Sequence, residues 1–144
     1  MSETSKNSIT IQAPATEVQK LLFNPENYPT WSTAIKSVKV LERDSDGRAS
    51  KVEMTIKAGQ VKDRVILDYD WSAAPGKLAF TLDEADLLTE MTGAYSIIDG
   101  GDSTQVTYEL TVALSMPVPS MMRVKAERET INLALQELKI KLES

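Results

Sequence analysis

Neither cysteine nor histidine occurs anywhere in the 144 residues. Their absence excludes a disulfide framework, a Cys/His zinc site, a cysteine nucleophile and a Ser-His-Asp triad. Positive charge is in deficit, with 16 Lys and Arg against 21 Asp and Glu, for a net charge of -5. That balance opposes the basic footprint of a nucleic-acid binder, so no nucleic-acid partner is expected. No apolar run approaches the ~20 residues of a membrane span. The opening MSETSKN lacks the apolar core of a secretory signal, so the expected location is the cytoplasm. Gly-rich phosphate loops are missing too, because Gly100-Gly101 has neither a following Lys nor a following helix. Asp44, Asp46, Asp99 and Asp102 sit around glycines without the closing Glu of a calcium loop, and they read as turns. Neither a metal nor a cofactor is expected. Six glycines, six prolines and 42% hydrophobic residues are ordinary values that exclude disorder and collagen-like repeats. The length suits one domain over residues 1–144.

Polar and apolar residues alternate in Ser8-Ile9-Thr10-Ile11-Gln12, the period-2 mark of a half-buried strand. Pro14 suits a helix start, and Val18, Leu21 and Leu22 give that helix one apolar face. Asn24-Pro25 starts a second short helix, which Pro29 is expected to stop. From Ile35 to Met116 the chain reads as strands. They are separated by turns at Asp44-Ser45-Asp46-Gly47, Gly59-Gln60, Pro75-Gly76, Ala85-Asp86 and Asp99-Gly100-Gly101-Asp102. Segments of about 8 to 12 residues between turns fit an antiparallel meander. Val106, Tyr108, Leu110, Val112, Leu114 and Met116 alternate with polar neighbours, giving the sheet one dry face. From about Pro119 to Glu143 a helix is expected, with Met121, Val124, Arg128, Ile131, Leu135, Leu138 and Leu142 recurring at steps of three and four. About 25 residues at 1.5 Å each give roughly 37 Å, enough to cross a sheet. A sheet with one apolar face and one long amphipathic helix is solved by curling the sheet around the helix.

Three charged residues fall on faces that alternation assigns to the interior. Asp63 aligns with Val61, Val65, Leu67, Tyr69 and Trp71, Glu84 follows Leu78, Phe80 and Leu82, and Arg128 interrupts the helical stripe. A buried charge costs several kcal/mol unless paired, so these groups are expected to pair or to form the polar end of a pocket. The alternative leaves both acids at strand ends in solvent and Arg128 in a structural ion pair. Tyr69, Tyr95 and Tyr108 are expected inside, each needing a partner for its hydroxyl. Trp31 reads as an apolar plug that could line the pocket, whose walls are expected to include Met54, Phe80, Tyr95, Tyr108 and Leu110. Met121 belongs to an apolar, proline-stiffened segment, Met116-Pro117-Val118-Pro119-Ser120-Met121-Met122, read as a pocket mouth, a helix start packed on its own sheet, or a membrane lip over 116–125.

The element order resembles the α+β helix-grip fold of the Bet v 1-like, START-like superfamily, also called SRPBCC. Asn24-Pro25-Glu26-Asn27-Tyr28-Pro29-Thr30-Trp31 resembles a Tyr-Pro-x-Trp segment of bacterial members. Asp68-Tyr69-Asp70-Trp71 and Lys125-Ala126-Glu127-Arg128 resemble an actinobacterial polyketide cyclase/dehydrase or lipid-transport-like subgroup. The resemblance implies a seven-stranded antiparallel sheet curled on the last helix, two short helices between strands 1 and 2, and a cavity between sheet and helix. Three functions follow as expectations: binding or transport of a lipid, polyketide or isoprenoid-like molecule; a cyclase/dehydrase; or an interaction domain with a collapsed cavity. The enzyme would use Asp63, Glu84, Tyr95 or Tyr108 for acid–base work and Arg128 to stabilise an enolate.

Overall fold

The computed structural model describes residues 5–58, 61–115 and 118–144. Strand β1 (Ser5–Ile11) leads into helix α1 (Ala15–Leu22) and a 3-10 helix over Pro25–Thr30. Strands β2 (Ile35–Arg43), β3 (Ala49–Ala58), β4 (Val61–Asp70), β5 (Lys77–Ala85), β6 (Leu88–Asp99) and β7 (Thr104–Leu114) follow, and α2 (Ser120–Glu143) closes the chain. The expected turn at Gly59-Gln60 and the expected strand end at Met116 lie outside the described residues.

Proline chemistry sets the short helices. Pro14 is the N-cap of α1, and Pro25 opens the 3-10 helix, where a missing N–H is harmless. Pro29 was expected to end that helix, yet it lies inside it. A 3-10 helix six residues long makes few bonds, and Trp31 N–H and Ser32 N–H both close it onto the Tyr28 carbonyl.

All seven strands form one antiparallel sheet in the order β1-β7-β6-β5-β4-β3-β2. Helix α2 runs nearest to β1 and β7 on one side and reaches β3 near the other edge. A single helix can meet both ends of a seven-stranded order only if the sheet curls around it. The middle strands stand further from the helix backbone, so large side chains fill that space. Met54, Leu67, Phe80, Tyr95, Tyr108 and Leu110 are buried there together with Ile131, Leu135 and Leu138 of α2.

One irregularity changes the reading of β5. Val65 pairs with Ala85 and Ile66 with Glu84, but Leu67 pairs with Leu82, which leaves Asp83 as an extra residue. The bulge shifts the alternation by one, and a one-residue shift sends every later side chain to the opposite face. Glu84, expected to point inward, is therefore exposed on the outer face, 2.9 Å from Arg64 Nη2.

Candidate functional site

The interior side of the sheet carries a row of rings drawn from five separate elements. It starts at the 3-10 helix, where Tyr28 and Trp31 meet edge to face with centroids 5.5 Å apart. Tyr28 donates its hydroxyl to the Leu22 carbonyl, and its phenol neighbours that of Tyr69 of β4. Tyr69 lies against Phe80 of β5 at 5.7 Å, and Phe80 against Tyr108 of β7 at 6.5 Å. Tyr108 stacks on Tyr95 of β6, with centroids 4.1 Å apart and planes 17° from parallel. Cross-strand pairing produces this last contact, since Tyr95 and Tyr108 are directly opposite in the β6–β7 ladder. Gly93 makes room for Phe80, because a Cβ at that position would collide with its ring.

The four tyrosines are all the tyrosines of the chain, and burial raises the pKa of each. Desolvation disfavours a phenolate, and the neighbouring phenols add to the rise at Tyr28, Tyr69 and Tyr95. For Tyr69 and Tyr108, the neighbouring Tyr28 and Tyr95 hydroxyls oppose the shift without cancelling it. These hydroxyls therefore stay protonated at neutral pH and act as neutral donors and acceptors.

The charged candidates behave differently from the phenols. Asp63 is buried, as alternation requires, but its carboxylate is saturated by backbone. It accepts the N–H groups of Arg64 at 2.8 Å, Asp86 at 3.2 Å, Leu87 at 3.1 Å and Leu88 at 2.9 Å, which anchors the β5–β6 turn. Arg128 was expected inside and is exposed, without an ion pair among the described residues. Its neighbour Glu127 is fully buried instead. Both positions suit the stripe: 127 lies three residues after Val124 and four before Ile131, and 128 lies four after and three before. The available partners decide between them. Glu127 receives Ser5 Oγ at 2.7 Å, Val112 N–H at 2.7 Å and Arg123 Nη1 at 2.8 Å. Ser5 is the last described β1 residue paired to β7, opposite Leu110, and Val112 two residues on gives its N–H to Glu127. One carboxylate thus ties α2 to both strands.

Met121, expected at a pocket mouth, is 83% exposed. It borders a cleft of about 630 Å³ with Arg123, Val124, Lys125, Arg128 and Asn132. A second cleft of about 330 Å³ lies between α2 and Thr33, Lys36 and Lys57. Neither is lined by Met54, Phe80, Tyr95, Tyr108 or Leu110, the expected pocket walls; these pack in the core. Met116 and Pro117 of the expected mouth lie outside the described residues. Sequence reasoning missed Tyr28 and Glu127. The signal for Tyr28 was the Tyr-Pro-x-Trp segment, and for Glu127 it was a spacing from Val124 and Ile131 that admits position 127 as well as 128.

A family model described as polyketide cyclase / dehydrase and lipid transport matches residues 11–139. The chain belongs to this family. Its fold is that of the START and Bet v 1-like proteins. A START superfamily protein from Mycobacterium smegmatis superposes with a TM-score of 0.92 at 26% identity, covering 97% of each chain. The Zhui aromatase/cyclase from Streptomyces sp. R1128 gives 0.82 at 16% identity, over 99% of this chain and 94% of that one. A major latex-like protein from Panax ginseng gives 0.76 at 10% identity, over 99% of both chains. Two of these three sources are actinobacteria, which is compatible with an actinobacterial subgroup. No match to a curated protein is found. In this family member, the START-like frame sets the aromatic row between the curled sheet and α2. Among the described residues no helix is long and apolar enough to cross a membrane.

Proposed function

We propose that this family member binds an apolar small molecule of the lipid, polyketide or isoprenoid-like class between the concave face of the sheet and α2. The observation that carries the reading is the aromatic row from Trp31 to Tyr95, an apolar interior surface studded with neutral hydroxyls. Small-molecule sites combine largely apolar walls with a few placed polar groups. The family description, with its polyketide and lipid-transport members, supports the same class of ligand. In this reading Trp31, Met54, Tyr69, Phe80, Tyr95, Tyr108 and Leu110 contact the ligand, which displaces side chains from the space over β4, β5 and β6.

Binding is favoured over cyclase/dehydrase chemistry by the state of the acid–base candidates. Glu84 and Arg128 are on the outside, and Asp63 has its oxygens occupied by four backbone amides. The phenols are held in the protonated form, far from the neutral-range pKa that suits a general base. Native mass spectrometry of gently purified protein, followed by organic extraction, tests the proposal. A stoichiometric apolar adduct that disappears from Tyr108→Ala is the expected result. A ligand-free protein that also fails to take up any of a panel of fatty acids, isoprenoids and aromatic polyketides would end it.

A further inference from the structure

Among the described residues, the buried side-chain polar atom left without a hydrogen-bond partner is Nε1 of Trp31. Native interiors satisfy the large majority of such groups, and an exception needs a cause. The other tryptophan shows what satisfaction looks like here: Trp71 Nε1 donates to the Ala49 carbonyl at 2.8 Å. Trp31 is only 7% exposed and sits at one end of the aromatic row, against Tyr28. The phenol it packs against does not serve it: the Tyr28 hydroxyl is turned to donate to the Leu22 carbonyl, and its oxygen accepts nothing from the indole. Phenylalanine at this position would plug the core with no polar atom to desolvate, so the indole carries a cost that packing alone does not explain.

We propose that the Trp31 indole N–H is the polar anchor of the interior site, donating to a neutral oxygen of an otherwise apolar ligand. The inference rests on the binding reading above and narrows it to a chemical class. An indole nitrogen is a donor only, so its complement must be an acceptor such as a ketone, ester or ether oxygen. A carboxylate fits poorly, since burying its charge among the apolar side chains that surround Trp31 carries a desolvation cost a neutral oxygen does not. The nitrogen is sealed in the present packing, so a ligand reaches it only by displacing side chains. Relief of the unpaired donor then rewards oxygenated ligands over hydrocarbons of the same shape.

Two isosteric probes separate the ideas: 2-acetonaphthone, which has a carbonyl, and 2-isopropenylnaphthalene, which has a methylene in its place. Titrations use the whole chain and read affinity together with the two indole N–H resonances. The expected result is about tenfold tighter binding of the ketone, the worth of one well-made hydrogen bond in a desolvated site. The ketone should move the Trp31 indole resonance downfield and leave that of Trp71, already bonded to Ala49, in place. In Trp31→Phe the ketone preference should vanish, the ketone binding no tighter than the hydrocarbon because its buried oxygen then lacks a donor. If both probes bind with equal affinity, or the ketone preference survives in Trp31→Phe, the anchor role is overturned while interior binding stands. If the ketone binds and the Trp31 resonance does not move, the anchor role is likewise overturned. If neither probe nor any ligand of the wider panel binds, the binding reading and this inference fall together.

Discussion

Glu127→Leu removes a carboxylate that joins α2 to β1 and β7. Three donors lose their acceptor at once: Ser5 Oγ, Val112 N–H and Arg123 Nη1. Breaking a buried ion pair from one side costs about 3–5 kcal/mol, because the remaining charge stays desolvated. The Arg123 side chain is 17% exposed, so water can screen it in part, and the lower end, about 3 kcal/mol, is expected. For a domain near this size each kcal/mol moves Tm by roughly 2–4 °C, so the fall should be about 6–12 °C. Urea unfolding followed by circular dichroism measures the loss, and Val112 amide exchange should accelerate. The double variant Arg123→Met/Glu127→Leu is expected to regain at least half of the loss, since apolar groups can replace a buried pair with little net effect. Two results would refute the reasoning: a loss under about 1 kcal/mol for Glu127→Leu, or a double variant no more stable than the single.

Three further outcomes are expected. Asp63→Ala should cost about 2–3 kcal/mol and speed amide exchange at Leu87 and Leu88, which lose their shared acceptor; unchanged exchange there would contradict the anchoring role. Gly93→Ala should destabilise by about 1–3 kcal/mol, because its methyl meets the Phe80 ring and lies 2.9 Å from the Glu109 carbonyl oxygen. Phe80→Leu/Gly93→Ala should recover only part of that in thermal melts, as the carbonyl cannot retreat. Alkaline pH should weaken the fold: the four phenols have raised folded-state pKa values, so above about pH 10 the unfolded chain loses protons first and stability falls as pH rises. Absorbance at 295 nm should then rise in one steep step coincident with unfolding. A smooth titration centred near pH 10 in the folded protein would show that the phenols are not desolvated.

Local pattern by itself determined much of this protein. Strand alternation over Val106, Tyr108 and Leu110 placed those side chains inside, and they are buried. Helical spacing put Ile131, Leu135 and Leu138 on the inner face of α2, which is where they pack. Such patterns are legible because period 2 and period 3.6 follow from backbone geometry alone. Tertiary structure decided the rest. The extra residue at Asp83 turned Glu84 outward, and strand alternation contains no signal for a bulge that depends on the facing strand. Spacing allowed either Glu127 or Arg128 inside; the choice fell to the carboxylate because Ser5, Val112 and Arg123 supply three donors, two of them far away in the chain. Asp63 was legible as a buried acid, but its service to the amides of the β5–β6 turn depends on residues more than twenty positions on. The aromatic row is tertiary in the same sense: its rings come from five elements, and only the curl of the sheet brings them into contact.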